Sequence, residues 1–118
     1  MITGWRLVKE KLVGKAFNGE GARIYGGRWN HKGTPVVYMS GSLALAALET
    51  FFHLGFENAK IKFACIRVII PTETKIREVN IKSLPDDWRD EPPPESTINI
   101  GTEWAKKMAT VVLRVPSV

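Results

Sequence analysis

Gly19-Glu20-Gly21-Ala22-Arg23-Ile24-Tyr25-Gly26-Gly27-Arg28-Trp29-Asn30, followed by Val36-Val37-Tyr38 and then by an apolar run that carries Glu49, is the stretch on which the reading of this chain turns. Residues 14–33 hold six of the ten glycines. Glycine makes left-handed and tightly turned backbone inexpensive, so this segment is predicted to be an irregular loop, and a loop of that length in a small domain is usually functional. Downstream, Pro35-Val36-Val37-Tyr38-Met39 reads as a strand. Ser40 or Ser42 is placed to cap the following helix, in which Leu45, Leu48 and Phe52 recur at helical spacing with Ala44, Ala47 and Phe51 beside them. Gly55 is suited to end it.

Working outward, Trp5 to Val8 reads as a short strand, and Lys62 to Ile70, almost continuously apolar after Phe63, as a central strand buried on both faces and closed by Pro71. A short strand is expected at Ile76 to Val79, then a polar, proline-rich connection from Ser83 to Pro94. A second helix starts at Ser96-Thr97-Ile98 and runs through Lys107, and a last strand covers Thr110 to Val115. Strands and helices do not alternate regularly. The class is therefore α+β, with a small mixed or antiparallel sheet and few helices.

The 118 residues suit one domain, 1–118, and the composition, 44% apolar and 25% charged, is that of an ordinary globular protein. No apolar run approaches the length of a membrane span, and no secretory signal pattern is present, which points to the cytoplasm and to no membrane partner. The lone Cys65 lies in the apolar segment and is expected to be a buried small hydrophobe. Residues 1–34 carry seven basic residues against two acidic ones, the whole of the net charge of +5. Concentrated in a glycine-rich region, that charge favours an anionic ligand such as a phosphate, a pyrophosphate or a nucleic-acid backbone, and is equally compatible with a solvated basic surface. A second charged run, Asp86-Asp87-Trp88-Arg89-Asp90-Glu91, is acidic.

Several side chains are candidates for chemistry. Glu49 either reaches solvent beside His53 at i+4 or enters a cleft, where a carboxylate needs an arginine or a developing positive charge as partner. Arg28 follows two glycines that let backbone approach a ligand, and its guanidinium presents a fork to phosphate; otherwise it salt-bridges Glu49. Arg6 and Arg23 are the other cationic candidates. Tyr38 is placed to stack on a ring or donate its hydroxyl, or to serve as a core aromatic. The four tryptophans read as packing residues. No dinucleotide-binding GxGxxG or P-loop pattern exists, and two histidines and one cysteine at scattered positions do not make an ordinary zinc site.

Taken together, Gly19-Glu20-Gly21-Ala22-Arg23-x-Tyr25-Gly26-Gly27-Arg28-Trp29-Asn30-x-x-Gly33, Val37-Tyr38-x-Ser40-x-Ser42-x-Ala44-x-Ala46-x-Leu48-Glu49, Leu84-Pro85-x-x-Trp88, Gly101-x-x-Trp104 and Leu113-Arg114-Val115-Pro116-Ser117 strongly resemble the RES-domain toxins across nearly the whole chain. The resemblance implies a fold similar to ADP-ribosyltransferase toxins and a toxin–antitoxin pair whose partner is a helix-turn-helix antitoxin. It also implies degradation of NAD⁺, as a glycohydrolase, a phosphorylase or an ADP-ribosyltransferase. NAD⁺ is then the substrate. No cofactor or metal is implied, and no direct nucleic-acid contact.

By position, the resemblance places the family's arginines on Arg6 and Arg28, its tyrosine on Tyr38, its glutamate on Glu49 and its serine on Thr110. Catalysis is assigned to Glu49, Arg28 and Tyr38, and substrate binding to Arg6, Arg28, Gly27, Tyr38 and Thr110. Threonine in place of serine keeps the hydroxyl but stiffens χ1. Members usually continue past the Val-Pro-Ser segment into a further stretch with Asn-Pro and a histidine. This sequence stops at Val118, so the resemblance implies a RES domain lacking that C-terminal segment. Two other readings stand beside the enzyme: a catalytically impaired domain that only binds its antitoxin, and a basic nucleic-acid-binding module. The acceptor and the oligomeric state, a homo-oligomer included, are left open.

Overall fold

The computed structural model describes residues 1–54 and 61–117, with the side chains of 52–54 left out, and divides into two compact units. The first comprises Met1–Phe17 and Val37–Thr72, the second Asn18–Val36 and Glu73–Val118.

In the first unit, strand β1 (Ile2–Lys9) pairs antiparallel with β2 (Phe63–Ile70) from Ile2 opposite Ile70 to Lys9 opposite Phe63. A 3-10 turn, Glu10–Lys15, leaves the end of β1. The helix α2 (Leu43–Leu54) packs against β1. Ser42 is its cap: the Oγ accepts from Leu45 N at 3.1 Å and the carbonyl from Ala46 N at 3.1 Å. Of the expected apolar face, Leu45, Ala47 and Phe51 are part-buried, whereas Leu48 is 68% exposed and Ala46 is the buried residue; the Phe52 side chain lies outside the described ones. Phe51 meets Phe63 edge to face, with ring centres 5.6 Å apart. Gly55 and the His53 side chain lie outside the described residues.

Two expectations fail in this unit. The strand β2 is not a central strand covered on both faces: Cys65, Arg67 and Ile69 are exposed, since β1 is its sole ladder partner among the described residues. Cys65 is thus an exposed thiol rather than a buried hydrophobe. Nor do residues 35–39 form a strand. Only Ser40 bridges to β1, exchanging two backbone hydrogen bonds with Trp5 of 2.7 and 2.8 Å. Two residues earlier, the Tyr38 carbonyl is taken by a side chain, the Arg6 guanidinium, at 2.9 Å.

The second unit contains α1 (Glu20–Tyr25), β3 (Ile76–Glu78), a 3-10 turn at Ile81–Ser83, α3 (Glu95–Lys107) and β4 (Val112–Arg114). The strands β3 and β4 are parallel. The predicted irregular loop over 14–33 is corrected in two places: Gly14 and Lys15 close the 3-10 turn of the first unit, and residues 20–25 are helical. Local bonds outweigh the glycine content. Asn18 Oδ1 accepts from Glu20 N at 2.9 Å, and Glu20 pairs with Arg23 at i+3. Gly19 and Gly26, both at φ 72°, begin and end the helix in a left-handed backbone that favours glycine.

The core of this unit is Trp29, Val79, Leu84 and Trp88, with Ile100, Leu113 and Val115 packed against it. The proline-rich connection therefore supplies two core residues. Gly101 lets α3 reach the backbone of Trp29; an added Cβ would stand 1.7 Å from the Trp29 carbonyl oxygen. The α+β class, with its small sheets and few helices, is as expected.

Candidate active site

Within the first unit, three residues nominated by the sequence fall along one short segment. Arg6, on β1, donates from Nε to the Ala16 carbonyl at 2.6 Å and from a terminal nitrogen to the Tyr38 carbonyl at 2.9 Å. It is half-buried, and its hydrogen-bond acceptors here are carbonyls, with no carboxylate among the described residues. Burial lowers its pKa from the ordinary arginine value, the direction that follows when desolvation is not offset by a counter-charge. Tyr38 is 37% exposed, at the rim rather than in a core. Two residues on, Ser40 Oγ donates to Glu49 Oε2 at 3.2 Å. The segment from Tyr38 to Ser40 thus holds an arginine at one end and the carboxylate of α2 at the other. Glu49 itself is exposed, so its carboxylate is reachable from solvent.

Within the second unit, Arg28 does not pair with Glu49. It binds the acidic run instead, donating to the Trp88 carbonyl at 2.7 Å and the Asp90 carbonyl at 2.9 Å and forming an ion pair with Glu91. Its side chain is only 10% exposed, against 62% for Glu91. Gly27 exchanges backbone hydrogen bonds with Asn30. The Thr110 hydroxyl accepts from Trp104 Nε1 at 2.9 Å and donates to the Val112 carbonyl at 3.2 Å, which ties the end of α3 to the start of β4. Arg23 is an exposed partner of Glu20, whose hydrogen bond and charge raise its pKa.

Two residues of consequence escaped the sequence reading. Asn30, 1% exposed, donates through Nδ2 to the carbonyls of Ala22, His31 and Thr34 and organises the turn after α1. Its position three residues past a pair of glycines was the available signal. Ser40 is the other. Two serines precede α2 where one cap suffices, and the spare one is bonded to Glu49.

This arrangement defines an α+β protein in which one short segment, Tyr38 to Ser40, bonds both an exposed carboxylate and a half-buried arginine. The family model of the RES domain matches residues 3–118. The chain is 40% identical over 113 residues to Toxin Res of Photorhabdus laumondii subsp. laumondii, an alignment covering 96% of this chain and 72% of that protein. It is 35% identical to Toxin Res of Yersinia enterocolitica, over 96% of this chain and 74% of that protein. A protein named Prs ADP-ribosylating toxin, from a Sphingobium strain, is 35% identical over 97% of this chain and 73% of its own length. The chain belongs to the RES domain family.

Proposed function

We propose that this chain is a toxin that cleaves NAD⁺ between nicotinamide and ribose. The observation that carries the reading is the Tyr38–Ser40 segment, which bonds Arg6 through the Tyr38 carbonyl and Glu49 through the Ser40 hydroxyl. Among the described residues the half-buried Arg6 guanidinium has carbonyl partners and no carboxylate, and a pyrophosphate supplies an anion for it. An exposed carboxylate nearby suits the other end of the same substrate. As the C1′–N bond breaks, its electron pair neutralises the pyridinium, nicotinamide leaves uncharged, and positive charge develops on the ribose, where Glu49 stabilises it. The acceptor oxygen, of water, phosphate or a protein side chain, then bonds C1′ and loses its proton to solvent. Tyr38 packs against the nicotinamide end.

The names of two relatives, as Toxin Res, and of a third, as an ADP-ribosylating toxin, support the class. With that class come a helix-turn-helix antitoxin as partner and the cytoplasm, where NAD⁺ is held, as its place of action. Because one family model spans both compact units, we treat 1–118 as a single functional domain. Arg28, Gly27 and Thr110 keep their proposed roles in binding, with the qualification that Arg28 must exchange or share its Glu91 partner to use them.

The test is nicotinamide release from NAD⁺ by the purified protein. Wild type is expected to release it, and Glu49→Gln, which removes the charge but keeps the shape, is expected to lose at least about 100-fold in kcat. Release that is equal in the two proteins, or absent from both, sinks the proposal.

A further inference from the structure

We infer that Ser40 is a positioning residue for Glu49, an inference that rests on the catalytic role proposed above for that carboxylate. Four observations converge on it. The Ser40 Oγ donates to Glu49 Oε2 at 3.2 Å. The Ser40 backbone cannot drift, because its N–H and carbonyl both pair with Trp5 of β1, at 2.8 and 2.7 Å. The residue is buried, at 9% exposure, while the glutamate that it holds is exposed. And the hydroxyl is not needed to cap α2, since Ser42 does that with both its Oγ and its carbonyl.

A glutamate on a helix surface has three side-chain torsions and, left alone, samples many carboxylate positions. A hydrogen bond from a donor that is itself fixed to a strand selects one of them. The strand β1 therefore fixes two groups: Arg6 directly, and Glu49 by way of Trp5 and Ser40. Ser40 does not touch the reacting atoms in this scheme. It acts on the reaction only by way of Glu49, so its loss should lower kcat and leave KM alone, because ordering a catalytic group contributes mainly in the transition state.

The experiment compares Ser40→Ala, Ser40→Thr and Ser40→Ala combined with Glu49→Gln, with nicotinamide release from NAD⁺ as the activity readout and the melting transition as the check on folding. Ser40→Ala is expected to lose about ten-fold or more in kcat with KM within about two-fold of wild type. Ser40→Thr, which restores the hydroxyl, is expected to recover most of that loss. In the Glu49→Gln background, Ser40→Ala is expected to have no further effect, as required of two residues acting as one unit. Should Ser40→Ala lose its cooperative melting transition, Ser40→Cys, nearly the same size with a much weaker donor, takes its place. An unchanged kcat in a folded variant, or losses that multiply in the double variant, overturns the inference while leaving the functional reading intact. A wild type that is inactive on NAD⁺ overturns both.

Discussion

Each unit of the molecule contains an arginine that the sequence singles out, and the two are held in different ways. Arg28 is almost wholly buried, and its charge is met within its own unit by Glu91, with two backbone carbonyls completing the set. Arg6 is half-buried, and among the described residues its partners are the Ala16 and Tyr38 carbonyls. A carbonyl satisfies an N–H but does not neutralise a cation. Arg28 is therefore built as a structural pair as it stands, while Arg6 keeps the larger unmet demand for an anion. The contrast assigns stability chiefly to one arginine and substrate binding chiefly to the other.

The largest effect expected in the Arg28 unit tests its packing rather than its charge. Gly101→Ala places a methyl on the Trp29 carbonyl, which α3 cannot accommodate without moving, and is expected to cost more than about 3 kcal/mol in urea denaturation. A variant as stable as wild type would mean that the close contact of α3 with Trp29 is absent in solution. Arg6→Lys addresses the other unit. It keeps the charge but loses the fork that reaches two carbonyls at once, so kcat/KM for NAD⁺ is expected to fall about 10- to 100-fold.

Arg28→Ala leaves the Trp88 and Asp90 carbonyls without their donor and is expected to cost about 2 kcal/mol of stability. Unchanged stability, with a loss of activity equal to that of the Arg6 variant, would abolish the distinction between the two arginines. Glu91→Gln is milder, below about 1 kcal/mol, because that carboxylate is mostly exposed. It sharpens the contrast in another way: if Glu91 competes with substrate for Arg28, this variant lowers KM. Least affected should be Glu20→Gln, which removes an exposed ion pair from α1 and is expected to leave the melting temperature where it was.

Much of this was legible in the residues. The cap and periodicity around Ser42 to Phe51 and the start at Ser96-Thr97-Ile98 specified two helices, the second observed one residue longer at its start, and the β-branched segments near Val8, Ile66 and Leu113 specified strands. The errors have physical causes. Residues 20–25 have the glycine content of a loop, yet the Asn18 and Glu20–Arg23 bonds hold a short helix there. Residues 35–39 have the composition of a strand, yet a strand needs a ladder partner, and the neighbouring bond is made by the Arg6 side chain. β2 looked doubly buried because its composition is apolar, but burial depends on what covers a face, and among the described residues nothing covers Cys65 or Ile69.

By itself the sequence determined the α+β class, the family, and Arg6, Arg28, Tyr38 and Glu49 as the residues to examine, since residue type and spacing carry that information, with Thr110 added by the family resemblance. Only the tertiary structure decided their partners: Glu91 for Arg28, Trp104 for Thr110, the Tyr38 carbonyl for Arg6 and Ser40 for Glu49. Arg28 and Glu91 stand 63 residues apart in the chain, and even Ser40 and Glu49 are nine apart. Hydrogen bonds depend on positions in space to within a few tenths of an ångström, and those positions are fixed by how strands and helices pack, not by separation along the chain.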